Sequence, residues 1–468
     1  MGNAAGGRED AMNEISGGKG ALLGPVIIGT LMFFLSVGAI LLAAGKTAPA
    51  LLIAMMPAAF ILAAHPRLAI YLYIFTLFIH YYPIPGSTVL LLDLVTLLLL
   101  ASYAIDYLLK GQAFIKAPGI INYFLVLICL MVFSAIFAYH PEYSVKPILR
   151  VIFQIPIIIA IYNSVGAKDI GHLLRFGFLL LLLHAAVNVM TFVSTGGSYR
   201  VFGSANVYFN DIAMLFAPVG IAGYLWGKSS RSALFFGLAT IVILFGMIAT
   251  QSRAPLITAI GVGLAMAYIS YRKAIRQGNL LVKRKARLTL VGVGVMAAII
   301  VLFSDIFRDV GERFRTLADI NTGTVWLRVS LWKAALVAFL SNPLTGIGPG
   351  NYKYIDSIIP SLKFDPARYY VVGYSSHNIF LHYLAETGIL GALAMVSIYL
   401  KNFRTALKIN RPAQPEGDPS VSYALFGAGL TIFAALFYLN GWMWGHSAFL
   451  APLFIALTAK YYNSISNG

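Results

Sequence analysis

A histidine at the start of a long apolar segment is the residue best placed to do chemistry. Residues 374–391 read YSSHNIFLHYLAETGILG, where a polar stretch turns into an apolar helix and His377 falls in its first turn. Ser375 and Ser376 are the predicted N-cap, and the sequence from Asn378 to Leu400 is almost uninterruptedly apolar. The potential at a helix N-terminus keeps a neighbouring imidazole neutral near pH 7. Neutral imidazole accepts a proton, so His377 is a candidate general base.

Two arginines beside apolar runs are candidates for binding a negatively charged group. Arg200 lies in TGGSYRVFGSANVYFNDIA, a Gly-, Ser- and Asn-rich turn before an apolar run, and its planar guanidinium suits phosphate oxygens. Arg253 lies in ATQSRAP, between two apolar runs joined almost without a loop. Each could instead be a snorkelling anchor at the membrane edge. With His377, the two arginines suit a substrate that carries a diphosphate and a hydroxyl to be activated.

No metal or nucleotide site is predicted. His382 and Glu386 share the predicted helix with His377, but these offsets do not align all three on one face, and no Cys helps. Glu386 lies about 13 Å below His377 at a rise of about 1.5 Å per residue, so we expect a satisfied structural carboxylate. The glycine run TGIGPGNY lacks the Lys of a P-loop and the spacing of a dinucleotide fingerprint. No cofactor is therefore expected.

The composition indicates a polytopic membrane protein. Hydrophobic residues make up 59% of the 468, charged residues 11%, and the mean hydropathy is +0.81, which excludes a soluble globular protein. The predicted fold class is all-α, a transmembrane helical bundle of about 12–14 spans, since apolar runs recur near the roughly 17–25 residues that a bilayer requires. The weakest run, 148–163, contains Arg150, Gln154 and Pro156. The fourteen runs are about 21–44, 48–64, 68–82, 87–108, 119–138, 148–163, 170–194, 207–227, 232–250, 254–271, 287–304, 378–400, 420–439 and 444–460.

The predicted organisation has five segments. Residues 1–20 are Gly-rich and polar and are expected to be a disordered cytoplasmic N-terminus, and residues 462–468 form a C-terminal tail. Residues 21–304 are expected to form transmembrane helices 1–11, and residues 377–461 helices 12–14. Between them, residues 305–376 form the larger periplasmic loop subdomain. Within it, TVWLRVSLWKAALVAFLSN has the apolar spacing of an amphipathic helix, which a proline ends.

The charge distribution orients the chain. The net charge is +17, from 34 Lys and Arg against 17 Asp and Glu. With the N-terminus in the cytoplasm, the inside segments hold much of the excess, above all YRKAIRQGNLLVKRKAR and KNFRTALKINR, as positive-inside topology predicts. His377, Arg200, Arg253 and Arg150 then lie on the outer, periplasmic side. The basic segment 272–287 could instead bind RNA or anionic lipid, but no RNA-binding signature accompanies it.

Four pieces of the chain, taken in order, resemble the bacterial O-antigen ligase and O-antigen polymerase superfamily. They are YRVFGSANVYFNDIA (199–213), TQSRAPLITAIGVG (250–263), RVSLWKAALVAFLSNPLTGIGPGNY (328–352) and SSHNIFLHYLAETGILGAL (375–393). The resemblance implies an all-helical inner-membrane glycosyltransferase that takes a glycan from undecaprenyl diphosphate to an acceptor sugar hydroxyl, without nucleotide sugar or required metal. The family's motif histidine falls on His377, and its loop arginines fall on Arg200 and Arg253. The segment SRAP departs from the family's pattern, in which a small residue, often Gly, follows the Ser-Arg pair. Here Pro255 lies in that turn.

The predicted mechanism is a direct, inverting displacement. His377 removes the proton of the acceptor hydroxyl, while Arg200 and Arg253 neutralise the charge that develops on the leaving diphosphate. Five further residues are expected to bind substrate: Arg150, Asn206, Arg328, Tyr352 and Asn378.

Ligases and polymerases of this superfamily differ in the acceptor that they use. The resemblance implies that ligases use the lipid A core and polymerases use another lipid-linked repeat. The span count and the modest charge of residues 305–376 favour an O-antigen or exopolysaccharide polymerase. Membrane lipid and a chain-length regulator protein are further expected partners, and nucleic acid is not. The alternative class is a flippase for lipid-linked oligosaccharide or a polysaccharide transporter, but no convincing internal repeat supports it. A non-catalytic scaffold would leave the Arg, Arg and His pattern unexplained.

Overall fold

The computed structural model describes residues 65–79, 91–110, 115–195, 204–250, 252–302, 323–358, 375–410, 418–437 and 446–466. Every regular element within these ranges is helical, which confirms the predicted all-α fold class. By its contacts the chain divides into two units, Met1–Gln112 and Ala113–Gly468. In the first unit, α1 (Pro66–Ile79) packs against α2 (Leu91–Leu109).

The second unit contains the remaining helices. In chain order they are α3 (Ile121–Ile136), α4 (Pro141–Ser164), α5 (Ala167–Ser194), α6 (Ser204–Trp226), α7 (Ser230–Ala249), α8 (Arg253–Gln277), α9 (Leu280–Leu302), α10 (Gly323–Ser341), α11 (Ile355–Ile358), α12 (Ile379–Ile409), α13 (Pro419–Ala435) and α14 (Leu450–Ser466). Short 3₁₀ turns lie at Tyr352–Tyr354 and His446–Phe449.

Helix α6 is the centre of the second unit. Seven helices in the described ranges are long and apolar enough to cross a membrane, namely α2, α4, α5, α6, α7, α8 and α12. The apolar part of α6 is 83% buried within the protein, whereas that of α5 is only 28% buried, so α5 turns most of its surface outward. Helix α6 packs against α5, α7, α8, α9 and α13. The chain is therefore a multi-pass membrane protein built around α6.

Small residues allow this close packing around α6. A Cβ atom on Gly220 would lie 2.1 Å from the Thr240 hydroxyl, and one on Gly427 would lie 2.5 Å from Pro218 Cβ. Lipid supplies no hydrophobic force between helices, so membrane proteins use small residues and interhelical hydrogen bonds instead. One such bond joins α13 to α6, where the Thr431 hydroxyl donates to the Met214 carbonyl at 3.1 Å.

The predicted apolar runs agree with the helices. Twelve of the fourteen coincide with α1–α9 and α12–α14, while the runs at 21–44 and 48–64 lie outside the described residues, as does the 1–20 segment. The run that reads as weakest belongs to α4, a helix of 24 residues that contains Pro147 and Pro156. The basic segment 272–287 spans the tight turn from α8 to α9. Gly278 makes that turn with φ 66. The predicted domain boundaries remain predictions.

Many basic residues gather at the end of the second unit opposite His377. His377 precedes α12, and Lys408 lies in the last turn of that helix, over the Tyr462 ring at 5.7 Å. Three more lysines near helix ends make the same contact with aromatic rings, namely Lys273 with Trp226, Lys285 with Tyr224 and Lys460 with Tyr162. The end of the second unit opposite His377 thus carries lysines that pack over aromatic rings.

Helix α12 is broken at Gly388, within the apolar run of residues 378–400. Gly388 has φ 65 and ψ −169, a conformation essentially restricted to glycine. The break frees backbone groups, and the segment 343–348 pairs with them. Ile347 N–H donates to the Ala385 carbonyl and Gly348 N–H to the Glu386 carbonyl, each at 2.9 Å, and the Ile389 N–H donates to the Pro343 carbonyl at 2.9 Å.

A side chain from α3 completes this junction. The Ser134 hydroxyl lies within hydrogen-bond distance of two carbonyls, that of Glu386 at 2.9 Å and that of Thr345. Backbone polar groups within a membrane must find partners inside the protein, so these bonds permit the break. The predicted end of α10 before Pro343 is confirmed, since α10 ends at Ser341. The chain after α10 is thereby held against α12.

We expect Gly388→Ala to destabilise the protein by about 1–3 kcal/mol or more, because only glycine readily adopts this backbone conformation. The added Cβ would also lie 2.2 Å from the Leu344 carbonyl oxygen. Thermal unfolding in detergent, followed by tryptophan fluorescence, measures the effect. Gly261→Ala in α8 is the matched control, since a Cβ there meets nothing within 4 Å. Equal unfolding midpoints for the two variants would contradict the role given to Gly388.

Candidate active site

His377 lies just before α12 rather than in its first turn. Asn378 is the N-cap residue, and its side-chain oxygen accepts from the Leu381 N–H at 3.1 Å. The predicted cap by Ser375 or Ser376 is therefore wrong. His377 has φ 52, and no other non-glycine residue in the described ranges has positive φ. Such a conformation costs on the order of 1–3 kcal/mol and persists only where the surroundings impose it.

The surroundings of His377 fix it against the end of α13. The Asn378 amide donates to the Phe437 carbonyl at 3.1 Å, and the Phe380 N–H donates to the Leu436 carbonyl at 3.3 Å. The Ser376 hydroxyl donates to the Asn378 carbonyl at 2.7 Å. Both ends of the Asn378 amide are thus engaged within the protein. These bonds support a positioning role for Asn378 rather than the predicted contact with substrate.

The imidazole of His377 is neutral at physiological pH. The pKa of this imidazole is lowered to about 4. Burial of the ring is the larger cause, and the Arg328 cation is the smaller one. An unperturbed histidine titrates near about 6.5, so His377 can accept a proton across a wider acidic range. The expected neutral state is present, but its causes are burial and Arg328 rather than the helix N-terminus alone.

Arg328 reaches His377 from α10. This helix packs directly against α12, so the interaction joins two elements that are distant in sequence. One turn after Arg328, the Leu331 carbonyl accepts the Tyr352 hydroxyl at 2.6 Å. Leu331, Ala335, Ile347 and Tyr352 belong to one buried apolar cluster. Packing and a buried hydrogen bond therefore hold the helix that carries the guanidinium.

Tyr352 supports this arrangement from within the protein. Its ring is only 1% exposed, its hydroxyl is bound to Leu331, and its N–H donates to Glu386 Oε1 at 3.0 Å. Burial, and then the nearby Glu386 carboxyl, raise the pKa of the Tyr352 hydroxyl. These internal contacts support a structural role for Tyr352. Its predicted contact with substrate stays a prediction.

His382 and Glu386 form a buried polar pair below His377. His382 Nε2 lies 3.4 Å from Glu386 Oε2, and both side chains are almost fully buried. The Tyr352 and His382 rings are in tilted contact, with 5.2 Å between ring centroids and 59° between the ring planes. Glu386 Oε1 accepts a hydrogen bond from the Tyr352 N–H, but Oε2 is buried with no hydrogen-bond partner among the described residues, so the expectation of a satisfied structural carboxylate is met only in part. Across the described ranges, no group of three or more His, Cys, Asp or Glu is arranged to hold a metal ion.

For the remaining predicted site residues, the structure gives at most their positions in the helices. Arg200 lies outside the described residues, while Asn206 lies in α6 and Arg253 is the first residue of α8. Arg150 lies inside α4, about 14 Å along the axis from the helix start at a rise of about 1.5 Å per residue. Its predicted place at the outer membrane edge and its predicted contact with substrate stay predictions.

The helix ends nearest the two arginines lie on the same side of the bundle as His377. The Asn210 amide of α6 bonds to the Thr250 hydroxyl at 2.9 Å, just before α8 begins at Arg253. In the C-terminal half of α13, Thr431 contacts α6 at Met214. Just after the end of α13, the Leu436 carbonyl accepts the Phe380 N–H at the start of α12. The beginnings of α6, α8 and α12 are thus brought toward one end.

Sequence reasoning did not single out one buried acid in this region. Asp211 follows Asn210 on α6 and is only 5% exposed. An ionisable residue within an apolar run is costly and usually has a partner or a task, and that signal could have drawn attention to it. Asp211 also marks the beginning of the match to a known family.

Comparison with protein families gives one finding. Residues 211–396 match the family model described as O-antigen ligase, and this range includes all of α6 after Asn210, the whole of α10 and the His377 segment. This match confirms the resemblance to the O-antigen ligase and O-antigen polymerase superfamily. It supports a membrane glycosyltransferase of that general type, whose substrates are lipid-linked polysaccharides. Among curated proteins, none matches the chain.

We expect Glu386→Ala to loosen the segment that crosses the break in α12, because the Tyr352 N–H loses its acceptor. An unsatisfied buried donor costs about 1–3 kcal/mol. Amide hydrogen exchange should accelerate over residues 347–352. Glu386→Gln keeps a side-chain carbonyl at the same position and should largely restore protection. Equal exchange in both variants would show that this hydrogen bond does not hold the segment.

Proposed function

We propose that this protein is a bacterial inner-membrane glycosyltransferase that acts at the periplasmic face. It transfers a glycan from an undecaprenyl-diphosphate-linked donor to an acceptor sugar hydroxyl. The observation that carries the proposal is a neutral, conformationally constrained His377 beside the Arg328 cation, in a segment that matches the O-antigen ligase family. A neutral base and a fixed cation are the two groups that this displacement needs.

The proposed orientation follows from the charges at the two ends. Basic residues concentrate at the cytoplasmic ends of membrane proteins. The turn between α8 and α9 and the end of α12 carry such residues, including Arg276, Lys283, Arg284 and Lys408. His377 lies at the other end of α12, so we assign it to the periplasmic face. A lipid-linked donor displayed in the outer leaflet would then reach it without crossing the bilayer.

In the proposed reaction, His377 takes the proton of the acceptor hydroxyl as that oxygen attacks the anomeric carbon. The bond from this carbon to the diphosphate oxygen breaks, and the diphosphate leaves on its lipid carrier. A single displacement inverts the anomeric configuration and requires no metal. Arg328 is placed to interact with the diphosphate, and we assign the same task to Arg200 and Arg253, which the resemblance implies.

The acceptor is proposed to be another lipid-linked repeat, which makes the protein a polymerase of O-antigen or exopolysaccharide. Deletion of the gene distinguishes this from a ligase. A polymerase deletion leaves single repeats on the cell's acceptor, whereas a ligase deletion leaves full-length chains on the lipid carrier. Purified protein that moves donor across vesicles without transferring glycan would instead indicate a flippase.

We expect His377→Ala to lower glycan transfer about 10²- to 10⁴-fold, the usual contribution of a general base. The measurement is transfer from lipid-diphosphate donor by full-length protein in proteoliposomes. His172→Ala is the matched control, because His172 is exposed in the first turns of α5 at the opposite end of the bundle. Near-normal transfer by a folded His377→Ala protein would refute the base assignment.

The pH profile provides a separate test. Because the pKa of His377 in the free protein is about 4, the base stays deprotonated well below pH 6, so the acid limb of kcat/KM for transfer, which reports the free enzyme, should lie near pH 4. Arg328→Gln removes a cation that disfavours the imidazolium, so the His377 pKa should rise and the acid limb should move toward neutral pH. Lys333→Gln, an exposed change on the same helix, should leave the limb in place. Identical profiles for all three proteins would contradict the proposed coupling.

A further inference from the structure

A cavity of about 530 Å³ opens among α5, α6, α7 and α13, at the basic end of the bundle and away from His377. This volume is within the roughly 300–1,000 Å³ range of small-molecule sites. The proposed glycosyl transfer makes no use of it. Trp226, at the end of α6, forms part of its wall.

The rim of the cavity is polar and carries two cations. Arg175 and Lys228 line it together with Asp418. Arg175 Nη2 lies 3.9 Å from Asp418 Oδ2, and the arginine side chain is 51% exposed. This long, exposed ion pair is weak, so the guanidinium can also bind another anion. The N-termini of α7 and α13 also begin at the rim, capped by Ser229 and Asp418. Both helices direct the positive end of their dipoles toward the same space.

The opposite wall of the cavity is apolar and faces the membrane. Leu179 and Phe235 line it, and each side chain is 45% exposed on helices that cross the bilayer. Leu179 lies one turn beyond Arg175 in α5, and Phe235 lies inside α7, which begins shortly after Lys228. The cavity therefore joins a cationic rim near the starts of α7 and α13 to an apolar wall further along the membrane-crossing helices.

We propose that this cavity binds one anionic phospholipid of the cytoplasmic leaflet. The phosphate lies between Arg175 and Lys228 at the helix N-termini, and an acyl chain runs along Leu179 and Phe235. Charge complementarity selects an anionic headgroup, since basic pockets between transmembrane helices on the cytoplasmic side bind such lipids. A free phosphate would use the rim but not the apolar wall. The position opposite His377 separates this lipid from the donor's carrier.

Quenching of Trp226 fluorescence by phosphatidylglycerol brominated on its acyl chains tests the proposal. Full-length protein in detergent is titrated, and the signal of the Trp226→Phe variant is subtracted. Wild type should show saturable quenching. Arg175→Gln with Lys228→Gln should weaken the apparent affinity about 30-fold, from about 1 kcal/mol for each cation near the surface. Lys228→Gln alone should weaken it about fivefold and serves if the double variant is unstable.

Two further variants sharpen the test. Arg276→Gln with Lys283→Gln removes the same charge at the same end but away from the cavity, and should leave the affinity unchanged. Asp418→Asn removes the carboxylate that competes for Arg175 and keeps a good N-cap residue, so it should tighten binding.

Three outcomes would overturn the proposal. Equal quenching by brominated phosphatidylcholine would indicate unselective lipid around the protein. Release of phosphatidylglycerol by inorganic phosphate at comparable concentration would indicate a free-phosphate site. Equal loss of affinity in the control pair would indicate a general surface charge effect. None of these readouts depends on glycan transfer, so failure here leaves the proposed function untouched.

Discussion

The exchange of backbone hydrogen bonds at the break in α12 is the constraint on which the candidate site depends. Inside a membrane, an unpaired backbone group costs several kcal/mol, so a helix can break only where other backbone replaces the lost bonds. Here the segment after α10 supplies two donors and one acceptor to α12. That pairing fixes the distance between α10 and α12. Arg328 and His377, which lie on or beside these two helices, are consequently held together.

The same junction explains why polar groups are buried beneath His377. Glu386 accepts the Tyr352 N–H through its side chain and the Gly348 N–H through its carbonyl, so one residue secures the segment twice. A buried polar network of this kind is favourable only when its members find partners. His382 lies beside the carboxylate and the Tyr352 ring, which places an imidazole in this network rather than at the surface. The network supports the site without contacting substrate.

Much of the fold could be predicted from sequence, because apolar runs of bilayer length leave little choice of secondary structure. The end of α10 at a proline and the turn at a basic segment are local features, and they were predictable for that reason. The break at Gly388 was not, since GILG within an apolar run is also the pattern of close helix packing. Only the pairing with residues about forty positions earlier distinguishes the two. Likewise, Tyr352 resembles a binding residue until its bonds to Leu331 and Glu386 are known.

The low pKa of His377 bears on the order of events in the proposed reaction. A base with a pKa of about 4 is always deprotonated at pH 7, but it is also weak, since proton transfer is most effective when the pKa lies near the working pH. Arg328 contributes to that weakness in the free protein. A donor diphosphate beside Arg328 would offset its charge and so raise the His377 pKa above its value in the free protein. The base would then become stronger once the donor has bound, although burial remains the larger cause of its low pKa. One arginine can thus both hold the leaving group and adjust the strength of the base that activates the nucleophile.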